Sequence, residues 1–179
     1  QKEEGGELVG RLFVNLERNT LDDVLDPKNG YDVSFYGAIN SRFLGGTIDY
    51  YKMELKGMFC YTFFRDWFTI TAAGKIGHVG SFKSGKQAPI FDRYFLGGGD
   101  TIRGFPYRSI GPADENDDVY GGQTMWLAKL ELSHPIYSIL RGAIFADIGN
   151  ATAGRFNPLG TPNLGVGYGL RIKVPGVNI

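Results

Sequence analysis

The sequence predicts an all-β fold, an antiparallel meander of about seven long strands forming part of a transmembrane β-barrel. Three observations on the 179-residue chain carry this expectation. Apolar and polar residues alternate with period two in run after run, and few windows show the i, i+3, i+4, i+7 spacing of a helix face. The runs at 8–18 and 47–63 reach or exceed the roughly 9–11 residues that cross a bilayer obliquely. A soluble sandwich also alternates, so strand length decides between them. Finally, the 27 glycines are near twice the usual share of roughly 7%, and no apolar stretch attains the roughly 18–20 residues of a transmembrane helix.

The first strand is expected at 8–18, where Leu8, Leu12, Val14 and Leu16 are even and Arg11, Asn15 and Glu17 odd. The turn-forming DPKNG (26–30) precedes a second strand near 31–41. In the third, at 47–63, Tyr51, Met53, Leu55, Phe59, Tyr61 and Phe63 alternate with Lys52, Glu54 and Lys56. RDW (65–67) marks the turn into a fourth strand near 66–80, and two more follow near 122–134 and 138–149. Lys129, Glu131 and Ser133 share one face, opposite Trp126 and Leu130. In the next strand Arg141 and Asp147 are odd, while Leu140, Ile144 and Ile148 are even. After NPLGTPN (157–163), the run 164–174 sets Val166, Tyr168, Leu170, Ile172 and Val174 against Gly165, Gly167, Gly169, Arg171 and Lys173. The charged faces are expected to line a polar lumen. Tyr31, Phe35, Tyr51, Phe59, Tyr61 and Trp67 are expected to point outward as interfacial aromatics.

Several functions are disfavoured. The 19 basic and 19 acidic residues balance, so no nucleic-acid partner is expected. Cys60 has no second cysteine to pair with, and two histidines do not make a His-rich metal site. No metal and no cofactor are expected. Ser133 and His134 are adjacent, but successive strand residues face opposite ways and cannot form a nucleophile–base dyad. The chain is therefore not expected to be an enzyme. Asp114, Glu115, Asp117 and Asp118 are expected to be a solvated loop, not a calcium site. The opening QKEEGGELVG shows no signal peptide, so export information lies upstream or the chain is not exported.

The segment FDRYFLGGGDTIRGFPYRSIGP (91–112) is too long for a tight turn, too glycine-rich for a strand and too aromatic for disorder. It should fold back onto something. FLGGGDTIRGF, followed by IGP, an acidic spacer, Gly121–Gly122, LAKLELSHPI and FADIGN, resembles the barrel of the BamA-type outer-membrane protein assembly family, also called bacterial surface antigen. The resemblance runs from about Asp26 to Val174.

That resemblance implies a 16-stranded barrel whose long loop, 91–121 here, enters the lumen. Its motif Arg becomes Arg103, flanked by Ile102, Gly104 and Phe105, and docks on the inner-wall residues Glu131 and Asp147. Gly97, Gly98, Gly99 and Gly104 are expected to allow backbone conformations closed to other residues and close approach to the wall. Residues 1–179 would then be a partial barrel domain, without the POTRA modules, the first barrel strands or the last two strands. The implied function is non-catalytic folding and insertion of client barrels. The implied partners are the outer-membrane bilayer, nascent outer-membrane proteins, accessory assembly lipoproteins and periplasmic chaperones. The implied location is the outer membrane of a Gram-negative bacterium, ahead of an organellar outer membrane. A TamA-like or two-partner secretion translocator, or a passive porin, is the alternative.

Overall fold

A computed structural model describes residues 8–23, 26–83, 87–137, 139–154 and 161–172. Seven strands form one antiparallel sheet in sequence order: β1 (Arg11–Asn19), β2 (Gly30–Asn40), β3 (Tyr50–Phe63), β4 (Phe68–Ser81), β5 (Thr124–Tyr137), β6 (Leu140–Thr152) and β7 (Asn163–Ile172). The only helical elements among the described residues are single 3-10 turns at Arg42–Leu44 and Ile90–Asp92. All seven expected strands are present. Lys173 and Val174, from the last expected run, and part of NPLGTPN lie outside the described residues.

Strand ends differ from the sequence reading where backbone pairing is irregular. The first and third strands begin at Arg11 and Tyr50, because Leu8 and Gly10 instead meet the β2–β3 loop: Leu8 O accepts from Thr47 N at 2.8 Å. A Cβ on Gly10 would lie 2.1 Å from Leu44 O, so only glycine permits that approach. The β5 strand runs past Pro135 to Tyr137, because its register shifts between those residues and the missing proline N–H is absorbed in a bulge. The β3–β4 turn is tight, with Phe64, Arg65 and Asp66 all at positive φ.

Register gathers most of the charged strand residues on one face. Lys52 lies between Ala38 and Val79, Lys56 between Ser34 and Lys75, and Lys129 between Ala73 and Asp147. On this face Glu54 pairs with Lys75 at 2.9 Å and Lys52 at 3.5 Å. The opposite face carries Leu12, Leu55, Ile76, Leu130, Ile144 and Val166, all exposed. Tyr31, Phe35, Tyr51, Phe59 and Tyr61 share that apolar face by register. Trp67, expected with them, sits instead in the β3–β4 turn. The buried core lies on the charged face, where the long β4–β5 connection covers one end of the sheet. Tyr50, Val79, Met125, Leu127 and Ala151 of the strands enclose Tyr94, Leu96, Ile102 and Ile110 of the connection. Burying a side chain such as Leu96 or Ile102 contributes roughly 1.5–3 kcal/mol.

Candidate functional site

The β4–β5 connection is a finger folded on itself. Tyr94 exchanges backbone hydrogen bonds with Gly122 at 2.8 Å and Leu96 with Ile110 at 2.9 Å, while Gly98 N reaches Phe105 O at 3.0 Å. The expected Ile102–Phe105 segment therefore sits at the tip. Gly97 and Gly98 lie at φ 101° and 99°, and a Cβ on Gly97 would fall 2.3 Å from Pro106 O. These two glycines close the finger. Gly104, at φ 90°, is likewise in the left-handed region. Gly99 departs from the expectation: it has neither a left-handed φ nor any atom within 4 Å of a built Cβ, so a side chain fits there.

Arg103 brings the two expected acidic residues together. Its Nε and Nη2 donate to Asp147 Oδ2 and Oδ1 at 2.6 and 2.7 Å, and its backbone N–H donates to Asp147 Oδ2 at 3.1 Å. Its Nη1 donates to Glu131 Oε2 at 2.7 Å. Asp147 is fully buried and Glu131 nearly so. The planar fork thus satisfies one carboxylate bidentately and spares a donor for the second, which an ammonium cannot do. The Arg103 pKa is pushed up first by the Asp147 hydrogen bond, against desolvation, so the group stays charged. Ile102, wholly buried, anchors the same tip in the apolar core, with Phe105 packed beside it.

Four further residues build the site. The Phe145 ring lies beneath the guanidinium, 3.6 Å from Cζ to the ring centre, a cation–π contact. Arg171 donates to Glu131 at 2.7 Å, so the two arginines and two carboxylates balance in charge. Lys129 Nζ donates to the Gly99 and Asp100 carbonyls at 3.4 and 3.1 Å. A Cβ on Gly165 would lie 2.1 Å from Arg103 O, so this β7 position must stay bare for the tip to dock. The sequence signal for Arg171 and Gly165 was their parity, which puts them on the same face as Asp147. Nothing local singled them out.

Other sequence candidates remain apart from this site. Ser133 accepts a hydrogen bond from Arg141, while His134 lies on the opposite face near Phe68 and Tyr168. Asp114 Oδ1 caps its own turn through the amides of Asn116 and Asp118.

The Omp85 superfamily domain matches residues 2–178. The outer membrane protein assembly factor BamA of Neisseria meningitidis serogroup B is 26% identical over 162 residues, covering 84% of this chain and 20% of that protein. The sorting and assembly machinery component 50 homolog of Bos taurus is 26% identical over 136 residues, covering 76% of this chain and 28% of that protein. The crystal structure of BamA from Haemophilus ducreyi lacking POTRA domains 1–3 superposes with a TM-score of 0.70 at 26% identity, covering 79% of this chain and 29% of that one. The chain thus spans less than a third of the length of each of these relatives. With a matching domain over nearly its whole length, a seven-stranded antiparallel meander and the docked arginine finger, the chain belongs to the Omp85 superfamily.

Proposed function

We propose that the complete protein folds and inserts client β-barrels into an outer membrane, without chemical catalysis. The observation that carries this reading is the Arg103 finger fixed to the charged face of a sheet similar to those of assembly factors. The β1 and β7 strands are open edges, which lipid does not tolerate. On this reading further strands close the sheet, and the family resemblance implies a 16-stranded barrel with the finger in its lumen and POTRA modules upstream. The clients are nascent outer-membrane proteins delivered by periplasmic chaperones, and accessory lipoproteins assist. A Gram-negative outer membrane is the location this reading favours. The bovine relative supports an organellar outer membrane as the second reading.

Reconstituted in liposomes without ATP, the full-length protein is expected to accelerate the folding of an added urea-denatured outer-membrane barrel. Folding no faster than in empty liposomes defeats the reading. Passage of a soluble passenger without faster barrel folding favours the translocator instead. Membrane placement has its own check. Leu55→Arg, on the apolar face of β3, is expected to lower the unfolding free energy of the inserted protein by about 2–4 kcal/mol. Lys56→Arg, on the charged face, is expected to leave the urea midpoint in place.

A further inference from the structure

The finger touches the sheet at a second, chemically separate place that the Arg103 site does not involve. Asp92, at the finger's entrance, is buried against the charged face over β1 and β3. Its Oδ2 accepts from Arg11 Nη2 of β1 and from the Tyr50 hydroxyl of β3. Lys52 Nζ, also on β3, donates to Asp92 Oδ1 at 3.2 Å and to its backbone carbonyl at 3.1 Å. Three donors from two strands thus converge on one loop carboxylate. Two residues later the Tyr94 ring packs over Gly77 of β4, where a built Cβ would fall 2.6 Å from it. The Lys52 and Lys75 ammonium groups stand 5.0 and 5.8 Å from that ring.

We propose that Asp92 is a second anchor of the finger, a positioning residue that ties its entrance to β1 and β3 while Arg103 ties its tip to β5 and β6. The finger then acts as a brace across the charged face, joining two groups of strands that are not neighbours in the sheet. An aspartate fits this task. Burial disfavours its charge, yet the Tyr50 hydrogen bond and the Lys52 and Arg11 charges outweigh that and hold its pKa below the ordinary carboxylate value. It therefore stays ionised and keeps all its donors. Two anchors separated by Tyr94–Ile102 also mean that freeing the tip does not free the entrance. This inference rests on the position of the finger and stands or falls independently of the assembly function.

The test is hydrogen exchange, read by mass spectrometry on the full-length protein in lipid nanodiscs. Segments 88–96 and 99–105 are followed separately. Asp92→Asn is expected to speed exchange of segment 88–96 about tenfold, the scale of one lost charged hydrogen-bonding partner, and to leave 99–105 protected. Asp147→Asn is expected to do the reverse. Asp92→Glu, which keeps the charge, is expected to restore most of the protection. Tyr50→Phe removes one donor only, should fold normally, and is expected to shift the same segment by a smaller factor. Unchanged exchange in Asp92→Asn, or a silent Tyr50→Phe when Asp92→Asn does not fold, overturns the proposal. Equal deprotection of both segments by Asp92→Asn also overturns it, because the finger would then have a single cooperative dock.

Discussion

Replacing Arg103 with Ala in the full-length protein is expected to release the finger tip and to cost about 3–5 kcal/mol. Most of that cost falls on Asp147. This carboxylate has no exposed surface and takes two hydrogen bonds from the Arg103 side chain, which truncation removes, and one from the Arg103 backbone N–H, which remains. Truncating the arginine strands a buried charge. Glu131 is affected less, because Arg171 still donates to it at 2.7 Å. The two carboxylates therefore differ in their coupling to Arg103. Asp147→Ala in the Arg103→Ala background is expected to recover part of the loss, and Glu131→Gln in the same background to change little. Arg103→Lys is expected to rescue poorly, since one ammonium cannot replace a fork that reaches both acids. Heat-modifiable gel mobility and the urea midpoint of the inserted protein report stability. Levels of other outer-membrane barrels report function. If Arg103→Ala leaves all three unchanged, the anchoring role is wrong.

Gly165→Ala is expected to undo the same dock without touching a charge. The built methyl would stand 2.1 Å from Arg103 O and 3.2 Å from Arg103 C, with the Ile102 side chain at 3.3 Å. Either β7 or the finger tip must move, and overpacking of this kind costs about 1–3 kcal/mol. The controls lie close by. Gly169, on the same face of the same strand, has nothing within 4 Å of a built Cβ, and neither has Gly99. Ala at either position is expected to change stability by less than about 0.5 kcal/mol. Exchange protection of segment 99–105 distinguishes the three variants. If Gly169→Ala loosens the tip as much as Gly165→Ala, close approach at Gly165 is not what holds Arg103 in place.

The meander was legible in the sequence because a strand exposes its two faces to different surroundings. Period two therefore survives in the residues of every strand from β1 to β7, and with it the parity that put Glu131 and Asp147 on the same face as Lys129. The finger was legible too, as a segment too apolar for solvent, and its family resemblance singled out Arg103. Strand ends were less so: Pro135 lies inside β5 because a bulge absorbs its missing donor, a pairing feature without local signature.

What the sequence by itself determined, then, was the alternation and the two faces, while the arginine and its two acids were implied by the family resemblance. Only the tertiary structure decided where the finger lies. Val79, Met125, Leu127 and Ala151 break the polar character of the charged face, and their meaning emerges only when Leu96 and Ile102 pack onto them. Gly165, Phe145 and Arg171 became parts of the site, and Asp92 a partner of Arg11 and Lys52, through contacts between residues far apart in the chain. The physical reason is range. Face is set by the neighbouring residues along a strand, whereas docking is set by which strands the sheet brings beneath the finger.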